Sequence, residues 1–209
     1  MYLYLIRHGE TQWNILKRTQ GITDVGLTER GKEQARLLAE KLKNRKIQKL
    51  LCSDLKRAYD TAAIIGKSLG IEPIQTPLLR EVCFGDWEGH TIEEIQDRFP
   101  GELEHWYSDT SFFPQNGESI DFVRRRVRSF IEQYLDHEIR SLEGLMVVSH
   151  AVICKILLTE LLDLPIYFMR RFKMSNASIN ILKLEPHREA SVILMNDTCH
   201  LDGISRNVL

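Results

Sequence analysis

Three short apolar runs constrain this chain more than anything else in it. Tyr2-Leu3-Tyr4-Leu5-Ile6, Lys49-Leu50-Leu51-Cys52 and Leu145-Met146-Val147-Val148 are too short for buried helices and apolar at consecutive positions. A strand that is apolar on both faces must be covered on both, as in the centre of an α/β sheet. The stretches between them carry helical stripes. Ala35, Leu38, Ala39 and Leu42 share a face within residues 28–43. Leu55, Ala58, Tyr59, Ala62 and Ile65 share one after the second run. Ile120, Val123, Val127, Phe130, Ile131 and Tyr134 predict a long helix over residues 118–141, and Ile153 to Leu162 a buried one. Ile74, between Pro73 and Pro77, reads as a short extended piece. Residues 178–185 and 190–195 read as a hairpin around Pro186-His187-Arg188-Glu189. Strands alternating with helices predict an α/β fold with a mostly parallel sheet.

Length and composition fit this. A chain of 209 residues suits one large α/β domain, and no linker divides it, so residues 1–209 are expected to form a single domain. Residues 86–116 are richer in aromatics, Pro and Asn, and predict a lid-like insertion with short helices at 91–98 and 101–107. Lys and Arg number 28 against 29 Asp and Glu, a net charge of −1. That balance argues against a nucleic-acid partner, though it does not say where charges gather. Cys52, Cys83, Cys154 and Cys199 stand far apart with no CxxC pair, which predicts reduced thiols in a cytoplasmic protein. The N-terminus has no basic region before its apolar run, and no apolar stretch approaches the ~20 residues of a membrane span. The expectation is therefore no membrane partner. No motif sets an oligomeric state.

The chemistry collects where the apolar runs end. The first delivers Arg7 and His8, the second Ser53 and Asp54 with Arg57 just beyond, and the late one Ser149 and His150. In open α/β sheets, ligands bind in the crevice outside the carboxyl ends of the strands. Two arginines and two histidines would meet there, beside helix N-termini starting near residues 54 and 151 that add backbone N–H donors. Such a pocket suits a phosphoryl group. An arginine in the first turn of a helix opposes the dipole, so a simple surface role explains Arg57 poorly.

Leu5-Ile6-Arg7-His8-Gly9-Glu10-Thr11 resembles the signature of the histidine phosphatase superfamily, also called phosphoglycerate mutase-like. Trp13-Asn14, Gln20-Gly21 with Asp24, and Leu27-Thr28-Glu29-Arg30-Gly31 follow in order. So do Ser53 to Ala58 with Thr61-Ala62, Leu79-Arg80-Glu81, Phe84-Gly85, Trp87-Glu88-Gly89, Gly117-Glu118-Ser119 and Val147 to His150. The resemblance implies a three-layer αβα sandwich with one antiparallel strand and a small helical insertion over the active site. It implies that His8 attacks phosphorus to give a phosphohistidine, with Glu81 as general acid and His150 completing the catalytic set. Arg7, Asn14, Gln20, Gly21, Arg57 and the backbone N–H of Ala151 would hold the phosphate. Ala151 stands where the family usually has Gly; a backbone donor survives that change. Glu88 and Glu118 read as structural, Thr11 as orienting the loop after His8, and Trp87 as closing a core edge. No metal or cofactor is implied.

The same pocket serves a phosphomonoesterase and a 2,3-bisphosphoglycerate-dependent mutase. Between Gly89 and Gly117 the only Lys or Arg is Arg98, and Val82 and Phe84 replace the Arg and Tyr usual in mutases. This favours a hydrolase acting on a small phosphate ester: a sugar phosphate, 3-phosphoglycerate, phosphoserine, α-ribazole phosphate or a broad range. A non-catalytic phosphate-binding regulator on the same fold is the third reading. Arg124-Arg125-Arg126 and Arg128 read as a solvated helix face, and Asn196 to Leu201 as a tail either bordering the pocket or crossing back over the sheet.

Overall fold

The three apolar runs become β1 (Tyr2–Arg7), β2 (Lys49–Ser53) and β4 (Gly144–Ser149), and the short extended piece is β3 (Ile74–Thr76). The hairpin strands are β5 (Ile179–Leu184) and β6 (Ala190–Asp197). This computed structural model describes residues 1–186 and 189–204; His187 and Arg188, at the expected hairpin turn, lie outside the described residues. The sheet order is β3-β2-β4-β1-β5-β6. β1, β2, β3 and β4 pair in parallel, whereas β5 is antiparallel to both β1 and β6. β5 is thus the one reversed strand of a mostly parallel sheet.

Side-chain alternation sorts the strands into two cores. Leu3, Leu5, Leu51, Leu145, Val147 and Leu182 enter one cluster. Tyr4, Ile6, Leu50, Cys52, Met146, Val148 and Ile181 enter the other. The second cluster is closed by α2 (Glu29–Leu42) and α3 (Lys56–Leu69) through Leu38, Leu42, Ala58 and Ile65. The first is closed by α6 (Ile120–Phe130) and α7 (Ala151–Leu161) through Val123, Val127, Ile153 and Leu157. A three-layer αβα arrangement results.

Local signals set the helix ends. A short α1 (Gln12–Ile15) is capped by Thr11, whose hydroxyl accepts from the Asn14 N–H at 3.2 Å. Thr28 caps α2 by accepting from the Gly31 N–H at 2.9 Å. Gly70, in the left-handed region at φ 70°, ends α3. The long helix expected over residues 118–141 is shorter. It is α-helical to Phe130, then widens into a π turn, Ile131–Leu135, where the Asp136 N–H reaches the Ile131 carbonyl at 3.0 Å. The widening keeps Ile131 and Leu135 buried while Tyr134 stacks on Phe130.

The insertion forms α4 (Ile92–Arg98) and α5 (Glu102–Ser108). Trp87, Ile95, Leu103 and Trp106 join the same buried cluster as α6 and α7. Among the described residues, no helix is long and apolar enough to cross a membrane.

Candidate active site

Register brings the reactive residues together. Arg7 lies opposite Ser149 in the β1–β4 pair, and the His8 N–H donates to the Ser149 carbonyl at 2.9 Å. His8 and His150 therefore leave adjacent strand ends side by side, with ring centroids 5.2 Å apart. His8 Nδ1 lies 2.7 Å from the Gly9 carbonyl. A carbonyl only accepts, so the proton sits on Nδ1 and Nε2 keeps its lone pair.

The turn after β1 is held from several sides. The Gly9 N–H donates to Thr61 Oγ1 at 3.0 Å, and that hydroxyl donates to the Arg57 carbonyl at 2.7 Å. Asn176 Nδ2 donates to the His8 carbonyl at 3.1 Å and to Asn14 Oδ1 at 3.0 Å. With Oδ1 occupied, the NH2 of Asn14 is its donor for a ligand. Gly9 is required here, because a Cβ would stand 2.5 Å from the Gly31 carbonyl oxygen.

Arg57 is fully buried, yet its guanidinium donates to carbonyls: Thr23 at 2.9 Å and Gly21 at 2.6 Å. Arg7 likewise donates to the Met174 carbonyl at 2.6 Å. Among the described residues no carboxylate forms an ion pair with either. The acid both feel most is Glu81. Burial pulls Arg57 down to about 10, against that acid. Burial also pushes the His8 and His150 imidazoles well below the ordinary value of 6.5, and the nearby guanidinium charges push them further. Both rings are therefore neutral at pH 7. Arg7 Nε, Arg57 Nε, Gln20 Oε1 and both ring nitrogens of His150 are buried without hydrogen-bond partners. Ala151 is the first residue of α7, where a backbone N–H has no intrahelical acceptor. An anion with several oxygens matches the donors among these, the two guanidinium Nε–H groups, the one N–H of the neutral His150 ring and the Ala151 N–H, whereas Gln20 Oε1 only accepts.

Glu81 is no surface carboxylate. It is 7% exposed; Oε1 accepts from the Val82 N–H at 3.1 Å and Oε2 from the Val152 N–H at 3.2 Å, in the first turn of α7. Its neighbour Arg80 pairs with Asp54 at 2.6 Å instead. The Glu81 loop hangs on Arg126, which donates to the carbonyls of Arg80 at 2.6 Å, Leu78 at 3.1 Å and Glu81 at 3.3 Å. The expected solvated face is thus corrected: Arg126 points inward, and Arg124 and Arg128 both pair with the mostly buried Glu160. Adjacent positions on a helix diverge by about 100°, so one arginine of a run can serve the interior.

The loop carrying Gln20 and Gly21 is fastened by Glu88, which accepts from the backbone N–H groups of Ile22 at 2.9 Å, Thr23 at 2.8 Å and Phe84 at 3.0 Å. Gly21 adopts φ +54°, and a Cβ there would strike Glu88. In the tail, residues 199–201 pack against α2, and Asn196 Oδ1 accepts from the Ser175 N–H at 2.7 Å. Beside Glu81 opens a cleft of about 220 Å³, lined by Phe84, Trp106, Val152, Lys155 and Arg170 among others. Among the described residues no cluster of three or more His, Cys, Asp or Glu could hold a metal ion.

A profile of the histidine phosphatase superfamily (branch 1) matches residues 3–198. The chain belongs to this superfamily. It is 34% identical over 200 residues to phosphoserine phosphatase 1 of Hydrogenobacter thermophilus, covering 95% of this chain and 93% of that one. It is 32% identical to a probable phosphoglycerate mutase of Yersinia pestis, covering 97% and 95%. Among solved structures, a mycobacterial glucosyl-3-phosphoglycerate phosphatase with VO3 superposes with a TM-score of 0.86 at 31% identity, covering 94% and 99%. The histidine phosphatase fold and phosphatase relatives are both established for this chain.

On this superfamily scaffold the structure assembles Arg7, His8, Arg57 and His150 at the strand ends, with Glu81 and the Gln20-Gly21 loop against them. Asn176 and Arg126 were not legible as site residues. Asn176 lies in a loop with no periodicity. Arg126 was hidden in a basic run.

Proposed function

We propose that this protein is a metal-independent phosphomonoester hydrolase that acts through a phosphohistidine on His8. One observation carries the reading: a neutral His8 with a free Nε2 stands beside two guanidinium groups that have only carbonyl partners. Nε2 attacks phosphorus in line as the P–O bond to the alcohol breaks. Arg7, Arg57, His150, Asn14, Gln20 and the Ala151 N–H stabilise the equatorial oxygens in the transition state. Glu81 gives its proton to the leaving alkoxide, then as carboxylate takes one from the water that attacks phosphorus as the P–N bond to His8 breaks. Phosphate is released and neutral His8 is regenerated.

The cleft beside Glu81, about 220 Å³, suits the alcohol part of a small metabolite. The mutase alternative has support in the Yersinia relative. Against it stands the insertion, whose single Lys or Arg is Arg98. Hydrolysis of p-nitrophenyl phosphate in the presence of EDTA tests the proposal. Turnover supports it; no turnover over a broad pH range overturns it. A coupled assay showing phosphoglycerate isomerisation dependent on 2,3-bisphosphoglycerate, faster than hydrolysis, would replace it with the mutase.

A further inference from the structure

One NH2 group, carried by a distant part of the chain, holds both the nucleophile's backbone and a phosphate donor. Asn176 Nδ2 donates to the His8 carbonyl at 3.1 Å, to the Gly9 carbonyl at 3.3 Å and to Asn14 Oδ1 at 3.0 Å. The Gly9 carbonyl is also the one that accepts from His8 Nδ1, at 2.7 Å. Backbone carbonyls only accept, so the end of Asn176 that faces them is its NH2. Both hydrogens of that group are committed to protein acceptors. Asn176 therefore acts through His8, Gly9 and Asn14, and not on the substrate.

Asn14 needs such a hold. Its helix, α1, has four residues, too few to keep its place by its own hydrogen bonds. The Thr11 N–H and hydroxyl both meet Asn14 Oδ1 at 3.1 Å, but Thr11 is the cap of the same helix and moves with it. Those contacts set which way the amide faces; Asn176 sets where it stands relative to His8. Asn176 is itself fixed on both sides. The Ser175 N–H donates to Asn196 Oδ1 at 2.7 Å, the Asn196 N–H to Asn180 Oδ1 at 2.8 Å, and Asn180 Nδ2 to the Leu5 carbonyl at 3.0 Å. Ala177 lies in the left-handed region at φ 53°, with its N–H directed at the Arg7 and His8 carbonyls, 3.1 and 3.2 Å away. An alanine in that conformation is strained and persists only where its surroundings hold it.

We infer that Asn176 is a positioning residue for phosphoryl transfer: it ties the Asn14 amide to the His8 backbone, so that the Asn14 NH2 and His8 Nε2 meet one phosphoryl group in fixed relation. The inference rests on the phosphatase reading above. A hydrogen bond to a charged oxygen weakens steeply with distance and angle, so a donor that is free to drift loses most of its worth. The loop before β5 thus serves the site without lining it, and the end of β6 holds that loop through Asn196.

A double-mutant cycle on phosphate affinity tests this. The Kd of inorganic phosphate is measured by calorimetry in the wild type, Asn176→Ala, Asn14→Ala and the double variant, with urea midpoints and p-nitrophenyl phosphate turnover alongside. Asn176→Ala is expected to weaken phosphate binding by about tenfold, the scale of one charge-assisted hydrogen bond. In the Asn14→Ala background the same change should cost about twofold or less, because the donor it positions is gone. A packing role alone would lower the urea midpoint and leave the two losses to multiply; that result overturns the inference, as does an unchanged Kd in Asn176→Ala. NMR of the 15N-labelled wild type gives a second readout that needs no variant. The Asn176 NH2 protons should exchange slowly with and without phosphate, and the Asn14 NH2 signals should move when phosphate is added. Fast exchange at Asn176, or Asn14 signals indifferent to phosphate, also overturns it. No turnover of p-nitrophenyl phosphate by a wild type that binds phosphate would instead remove the phosphatase reading itself.

Discussion

Two neutral imidazoles sit beside two guanidinium groups, an arrangement that costs stability in acid. His8 and His150 are buried, and their pKa values are pushed well below 6.5. The unfolded chain takes up these protons first as pH falls through 6.5, so stability is full above that pH and is lost below it. Each imidazole steepens the loss by up to about 1.4 kcal/mol per pH unit. Urea midpoints of the phosphate-free protein should therefore fall between about pH 7 and pH 5, and fall less in His150→Gln. A midpoint that is flat over this range contradicts the burial account. Glu81→Gln tests the proton donor. Alkyl phosphate turnover should drop by about 10²–10⁴. p-Nitrophenyl phosphate should lose less, because its phenolate leaves with little help from an acid; equal losses on both esters would argue against the role. At this scale the strand-end residues were readable because position and chemistry agree: Arg7, His8 and His150 directly follow or end apolar strands. Arg126 was not readable, because a basic run looks alike whether its members face water or a loop of carbonyls.

Elements place these groups through a few side-chain fasteners. Glu88 ties the Gln20-Gly21 loop to Phe84, and Arg126 suspends the Glu81 loop from α6. Glu88→Ala should loosen the phosphate loop without touching His8. Its expected signature is a raised Ki for inorganic phosphate, with about 1–3 kcal/mol lost in unfolding free energy. Unchanged phosphate inhibition would show that the loop holds itself. Strand identity and most helix positions followed from periodicity. The end of α6 did not, because apolar spacing continues through the π turn: Ile131 and Leu135 stay in the core although the backbone has widened. The reach of a carboxylate from residue 88 to residues 22 and 23 is a tertiary fact with no local signal.

For the whole molecule, the net charge of −1 conceals a cationic end of the sheet. Basic side chains that would repel one another come from β1 and α3, and among the described residues no carboxylate forms an ion pair with them, although the charge of Glu81 reaches both. A bound dianion should repay this. Inorganic phosphate at about 100 times its Kd is expected to stabilise the folded protein by about 2.7 kcal/mol, visible as a rise in Tm. Arg57→Gln should reduce that rise by removing the buried cation. The α/β class with a mostly parallel sheet was legible from three apolar runs and the helical stripes between them, and the three-layer arrangement from the family resemblance, whereas the closing of the insertion onto α6 and α7 was not legible, since Trp87 and Trp106 meet only in three dimensions.

The most direct test of phosphoryl transfer through His8 is to quench the enzyme during turnover of a 32P-labelled ester and map the label. The account predicts acid-labile label on His8 in the wild type and none in His8→Ala. Label that persists in His8→Ala, or that maps to another residue of the wild type, would contradict it.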